Sequence, residues 1–266
     1  MRFYLSYFKL RFSAALQYRA AALAGICTQI FFGLTFIMVY IAFYESSGNS
    51  PMDLSALITY LWLNQAFFSL IYLMYKDNEI FDLIKNGNIA YELVRPKKIY
   101  FMWYVKIIAT RLADVSLRCL PLLVVAFLMP SKIRMSLPYS FGNFMLFIVA
   151  MIIGTLLMTS IITLYHVITT YTLNEKGIPN VFMVLSDILS GGVVPIPFFP
   201  GFMKVIANIL PFRYVSDLAF RIYSNDITIL GGLQGILVQL LWLLIITALG
   251  YILLNKNLKK VVVQGG

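Results

Sequence analysis

Charged side chains are scarce in this sequence. The 21 Lys and Arg and 11 Asp and Glu make up 12% of 266 residues, about half the share usual in soluble domains. Apolar residues reach 61%, which excludes an ordinary soluble domain and indicates a polytopic membrane protein. Histidine occurs once, as His166, and cysteine twice, as Cys27 and Cys119 within apolar runs. So few ligands support neither a disulfide framework nor a metal site, and His166 is assigned a packing role. The patterns G-x-x-x-x-G-K-[ST], H-E-x-x-H and G-x-S-x-G are all missing, so the chain offers no ATP-binding loop and no hydrolase signature. It is expected to be non-enzymatic and to bind no cofactor itself. A net charge of +10 would suggest nucleic acid in a soluble chain; here the bases flank apolar runs, where they set topology and meet anionic lipid.

What is present is a series of apolar runs. Residues 2–17 read as a basic, aromatic helix lying on the membrane, with Tyr4, Phe8, Phe12 and Leu16 on one stripe, or as an extended basic flank of the first span. No cleavable signal peptide is expected. Six spans follow, at about 20–44, 54–75, 100–129, 141–171, 178–194 and 227–254, most of them long enough for a hydrocarbon core of about 30 Å. Of the 21 bases, fourteen fall on the side of the two termini and five on the other, with Arg111 and Arg118 inside the third span. That bias places both termini in the cytoplasm.

The longest polar interruption is residues 76–98, KDNEIFDLIKNGNIAYELVRPKK, which holds four of the eleven acids. Asp77 or Asn78 can cap a short helix over 77–86 that Gly87 stops, with Ile80, Phe81, Leu83 and Ile84 apolar and Asp82 and Lys85 polar. So short a helix is marginal alone. It docks either on a cytoplasmic protein or on the membrane ends of its own chain. Pro96 disfavours helical geometry at Arg95 and separates this helix from the third span. Lys97 and Lys98 are read as anchors at the lipid surface.

Few charges lie within the spans. Arg111, Asp114 and Arg118 share a helical face, and form either the wall of an anion pathway or a structural ion pair. Asp187 has no base near it in sequence; it lines a pathway or bonds within a broken helix, and Asn64 and Gln65 are weaker candidates of the same kind. The glycine and proline break GGVVPIPFFPG occurs once, so no inverted repeat of broken helices is visible. It opens an amphipathic insert, 195–226, read as a re-entrant or surface-lying helical pair.

This order of parts resembles the permease subunit of an ABC-2 type ABC transporter. The likeness is carried by NGNIAYELVRP and by LSGGVVPIPFFPGFMKVIANILPFRYVSDLAFRIY, and is nearest to the prokaryotic branch with a separate ATPase subunit. The resemblance implies an all-α exporter subunit of the cell membrane, paired with a second permease of the same or a homologous chain above an ATPase dimer that binds ATP and Mg. It makes Asp77, Asn78, Glu79, Ile80, Phe81, Asp82, Ile84 and Lys85 a coupling helix that contacts the ATPase. It puts Asn64, Gln65 and Asp187 near the pathway, Arg111, Asp114 and Arg118 away from it in a structural role, and Pro195, Pro197, Pro200, Pro211 and Arg213 in an extracellular lid. An ion-gradient-driven transporter or channel and a non-transporting membrane sensor or scaffold stand as alternatives. The 21 Phe, 17 Tyr, 3 Trp and 12 Met suit an amphipathic or peptide cargo and lipid contact equally.

Overall fold

Among the described residues every regular element is helical. The structure is a computed structural model that describes residues 2–46, 50–89, 92, 97–174 and 176–259, and the side chains of residues 178 and 179 are not among them. In chain order the α-helices are α1 (Arg2–Ala15), α2 (Arg19–Ser46), α3 (Leu54–Ala66), α4 (Phe68–Ile71), α5 (Asn78–Lys85), α6 (Ile99–Leu128), α7 (Phe141–Thr172), α8 (Ile178–Leu189), α9 (Gly201–Ile209), α10 (Asp217–Tyr223) and α11 (Ile229–Leu258). Short 3-10 turns at Ile196–Phe198 and Phe212–Val215 flank α9. The junction expected at Arg95 and Pro96 lies outside the described residues.

Three helices, α2, α7 and α11, are long and apolar enough to cross a membrane. Helix α6 is of similar length, 30 residues, but carries Lys106, Arg111, Asp114 and Arg118 along its first two thirds. Two expected spans differ from the sequence reading. The second is not one helix: α3 stops at Ala66, Phe67 takes φ −101° and ψ 7°, and α4 adds a single turn before the chain becomes extended at Tyr72. No proline or glycine causes this break, because tertiary contacts decide it. The Phe67 ring packs against Phe147 and Phe220, and the Phe68 ring stacks on Tyr72 at 5.0 Å. The fifth span is a helix of only 12 residues, about 18 Å long, because Ser190 and Gly191 turn the chain; Gly191 holds φ 82°, which a side chain would strain.

Helix α3 sits at the centre, with every residue from Leu57 to Ala66 buried. Trp62 Nε1 donates to the Ile133 carbonyl at 2.8 Å, and Thr59 Oγ1 accepts the Ser136 N–H at 3.0 Å, so the α6–α7 connection is fastened over it. Helix α11 runs along α7. Its buried Gln239 donates to the Ala150 carbonyl at 2.9 Å and to the Tyr214 carbonyl at 2.6 Å, and Ser160 and Thr247 meet at 2.8 Å. Outward-facing Phe31, Ile152, Leu237 and Leu244 are exposed, as lipid contact requires. The stripe Tyr4, Phe8, Phe12 and Leu16 is half-buried, and α1 packs on α6. Helix α1 therefore shares its stripe between the neighbouring protein and the surroundings, with Leu5 and Leu10 exposed.

The closest backbone approach is at Gly154 of α7, where an added Cβ would lie 2.3 Å from the Val215 carbonyl oxygen. At Gly235 of α11 the obstacle is the flexible Leu218 side chain, 2.4 Å from an added Cβ. Gly154→Ala should lower the thermal midpoint of the protein in detergent, at a cost of about 1 to 3 kcal/mol. Gly235→Ala should cost clearly less, since a side chain rotates more cheaply than a backbone shifts.

Candidate functional site

The extended segment between α4 and α5 has backbone groups that no helix satisfies. Buried groups of this kind must find partners in the protein, and side chains of neighbouring helices supply them or brace the segment. Arg111 of α6 donates from Nη2 to the Tyr72 carbonyl, and its guanidinium lies 4.3 Å from the centre of the Tyr75 ring. The Asp187 carboxylate of α8 lies beside the Leu73 backbone N–H. The Asp77 N–H donates to His166 Nε2 of α7 at 3.3 Å. Lys106 Nζ of α6 donates to Asp77 Oδ1 at 2.7 Å. Because His166 Nε2 accepts, its Nδ1 carries the proton and donates to the Ile162 carbonyl at 2.8 Å, so the lone histidine is fully partnered and buried.

Asp77 is also the N-cap of α5, its Oδ1 accepting the Ile80 N–H at 3.1 Å. At the other end Asn86 closes the helix and Gly87 follows at φ 70°, the left-handed geometry that glycine adopts without strain. Ile80, Phe81 and Ile84 are buried, and the Phe81 ring lies 4.6 Å from the His166 ring. Of the eight residues expected to face a partner, these three therefore face their own chain: an eight-residue helix in water needs its apolar side covered, and α7 covers it. Asp77 is buried as well. Asn78, Glu79, Asp82 and Lys85 remain exposed, beside a groove of about 230 Å³ bounded by Thr169, Asn174 and Lys176.

Glu79 ties α5 to two further helices. Arg11 of α1 grips it bidentately at 2.8 and 2.9 Å, and Lys106 Nζ lies 2.6 Å from Oε2. The hydrogen bonds from Arg11, opposed by partial burial and assisted by Lys106, hold the Glu79 carboxyl at about 2 against an ordinary 4.5. Lys106 and Asp77 are both more than nine-tenths buried.

The ion pair expected within the third span does not form. Among the described residues neither Arg111 nor Arg118 makes a contact ion pair with Asp114. Arg111 is drawn instead to the extended segment. The Arg118 guanidinium lies along α2 at Gly25, where an added Cβ would come within 2.8 Å of Nη1. Spacing by three and four sets a shared face, while the neighbouring helices choose the rotamers.

Asn64, Gln65 and Asp187, far apart in sequence, line one cleft of about 270 Å³ between α2, α3, α4 and α8. Phe32, Phe36, Phe68 and Ile71 form its apolar wall, and Gln29 of α2 joins the polar side.

In the insert each proline opens an element. Pro195 precedes the 3-10 turn that contains Pro197, Pro200 precedes α9 and Pro211 precedes the second 3-10 turn, positions where the missing N–H costs nothing. Arg213 hydrogen-bonds Asn208. It also pairs at 3.4 Å with Asp217, which is fully buried. Arg221 lies 3.8 Å from Asp217 and 2.5 Å from Asp226, and Tyr60 of α3 donates to Asp217 Oδ1 at 3.2 Å. The sequence reading missed Asp217; the signal was the four-residue spacing of Arg213, Asp217 and Arg221.

Lys106→Met leaves Asp77 buried without its cation and should loosen α5 by about 3 kcal/mol. Adding Asp77→Asn should recover part of that loss, and amide exchange across α5 reads both effects. Since Glu79 is held below its ordinary value, its contribution is fully present above about pH 4.5 and is lost as pH falls through about 2. Glu79→Gln should therefore raise α5 exchange about threefold at pH 7, with the difference from wild type shrinking across that window.

No curated protein matches this sequence. The family model described as ABC-2 family transporter protein matches residues 24–265. That match spans the helices from α2 onward, the held segment before α5, the cleft and the proline-rich insert, and the chain belongs to the ABC-2 transporter family of membrane proteins.

Proposed function

We propose that this chain is the permease subunit of an ATP-driven exporter, working beside a second permease of the same or a homologous chain above a dimer of separate ATPase subunits. The observation that carries the reading is the mounting of α5. Its apolar face is fixed to α7 and its N-terminal end to α1 and α6, while Asn78, Glu79, Asp82 and Lys85 are exposed. A helix held in this way transmits a push to the bundle, because it cannot rotate without breaking the bonds of Glu79 and Asp77.

In this reading the chain crosses a prokaryotic cell membrane six times with both termini in the cytoplasm, α3 with α4 and α8 with its following turn serving as the second and fifth crossings. The groove beside Asp82, Lys85 and Lys176 receives the ATPase, which binds ATP and Mg. Closure of the ATPase dimer moves α5, and with it α6 and the 72–77 segment, so the cleft at Asn64, Gln65 and Asp187 changes its exposure. The prolines and Arg213 of the insert form the extracellular lid. A gradient-driven carrier is the second reading, favoured by Asp187, which has no ion pair among the described residues. Flux that persists without ATP and collapses with the proton gradient selects it.

Asp82→Lys, on the exposed side of α5, should cut recovery of the ATPase in affinity purification about tenfold and abolish ATP-driven flux, with the thermal midpoint unchanged. Phe81→Ala should lower the midpoint as well, since it removes a buried ring at a cost of about 3 kcal/mol. Normal assembly and flux in Asp82→Lys would reject the docking assignment.

A further inference from the structure

The polar groups of the cleft are unbalanced in one direction. Asp187 supplies a carboxylate, and among the described residues no basic side chain lines the cleft. Gln29 is 5% exposed and its Oε1 has no hydrogen-bond partner, so a second acceptor sits buried and unused on the same lining. Leaving such an acceptor unmet costs free energy, and a lone carboxylate beside hydrocarbon calls for a counter-charge. Around them Phe32, Phe36, Phe68 and Ile71 offer rings and aliphatic surface, and aromatic faces also attract cations. The cleft's volume, about 270 Å³, is near the lower end for small-molecule sites, and an apolar wall with a few convergent polar groups is their usual construction.

We infer that this cleft binds an amphipathic organic cation, its apolar body against the phenylalanines, its charge on Asp187 and an N–H donor on Gln29. The inference rests on the permease reading only in treating the occupant as cargo; the recognition chemistry belongs to the cleft alone. An anion is disfavoured by Asp187. A neutral lipid chain would leave Asp187 and Gln29 unmet.

The test uses the full chain in lipid nanodiscs, titrated with ethidium, an aromatic cation bearing amino donors, and with 8-anilinonaphthalene sulfonate, an aromatic anion of similar size. The saturable fluorescence change over empty nanodiscs is read. Ethidium should bind the wild type and lose about tenfold or more in affinity in Asp187→Asn, a variant that keeps the side chain's size and removes its charge. Gln29→Leu should weaken ethidium about threefold, and Val193→Trp, at an exposed position on the cleft lining, should block it. Saturable sulfonate binding should be weaker than that of ethidium and should not fall in Asp187→Asn. Equal ethidium affinity in the wild type and Asp187→Asn, or tighter binding of the anion, overturns the inference. Should Asp187→Asn fail to fold, unchanged ethidium binding in both Gln29→Leu and Val193→Trp overturns it equally. The assay contains no ATPase: a chain that captures ATPase without binding ethidium loses only the ligand class, and one that binds ethidium without capturing ATPase loses only the subunit assignment.

Discussion

The six residues between α4 and α5 leave the helical ladder inside a protein that lies largely in hydrocarbon, and their backbone groups must be met by side chains. Arg111 of α6 meets the Tyr72 carbonyl and His166 of α7 the Asp77 N–H, while Lys106 of α6 holds the Asp77 side chain and Asp187 of α8 lies beside Leu73. Exposed groups would exchange such bonds with solvent for a small net gain, whereas a buried group left unmet costs about 1 to 3 kcal/mol. This constraint explains why a chain with few charges places a base and an acid at these depths. It also explains why its one histidine is buried among aromatic rings: Phe81 and Trp103 lie within 4.6 and 6.5 Å of the His166 ring.

The same segment joins the two functional regions. Asp187 lies beside the Leu73 N–H and also lines the cleft, while Asp77, four residues on from Leu73, caps α5 and anchors Lys106. The cleft and the exposed side of α5 are therefore separated by one short extended strap rather than by a rigid helix. The insert shows a parallel arrangement on Tyr60 of α3, whose hydroxyl lies within hydrogen-bonding distance of both Asp217 and the Gly191 carbonyl. Asp217 in turn gathers Arg213 and Arg221. Helix α3 thus carries a cleft-lining amide pair, Asn64 and Gln65, and the buried hydroxyl that fixes the insert.

Local signals in the sequence were sufficient where local physics decides. The capping carboxylate of Asp77 and the left-handed geometry at Gly87 delimit α5 to within a residue, and the prolines of the insert mark element starts because proline cannot donate inside a helix. The juxtaposition of Asn64, Gln65 and Asp187 followed from a resemblance rather than from spacing, and the structure brings them to one cleft. The interruption at Phe67 carries no proline or glycine, so a reading that looked for such breaks counted one, at the insert, and took residues 54–75 as a continuous span. The aromatic packing of Phe67 on Phe147 and Phe220 joins residues 80 and more positions apart and leaves no periodic trace.

By itself the sequence determined that this is a helical membrane protein, where its long apolar helices lie, and that a short capped helix interrupts them, because hydropathy, capping and proline geometry act over a few residues. Only the tertiary structure decided which faces those helices present. It turned Ile80, Phe81 and Ile84 inward against α7 and laid α1 on α6. It drew Arg111 away from Asp114 to a backbone carbonyl, and set Asp187 in a cleft with Gln29. Each of those outcomes depends on which backbone group or apolar surface arrives from a distant part of the chain, and a side chain in a low-dielectric interior goes to whichever partner arrives.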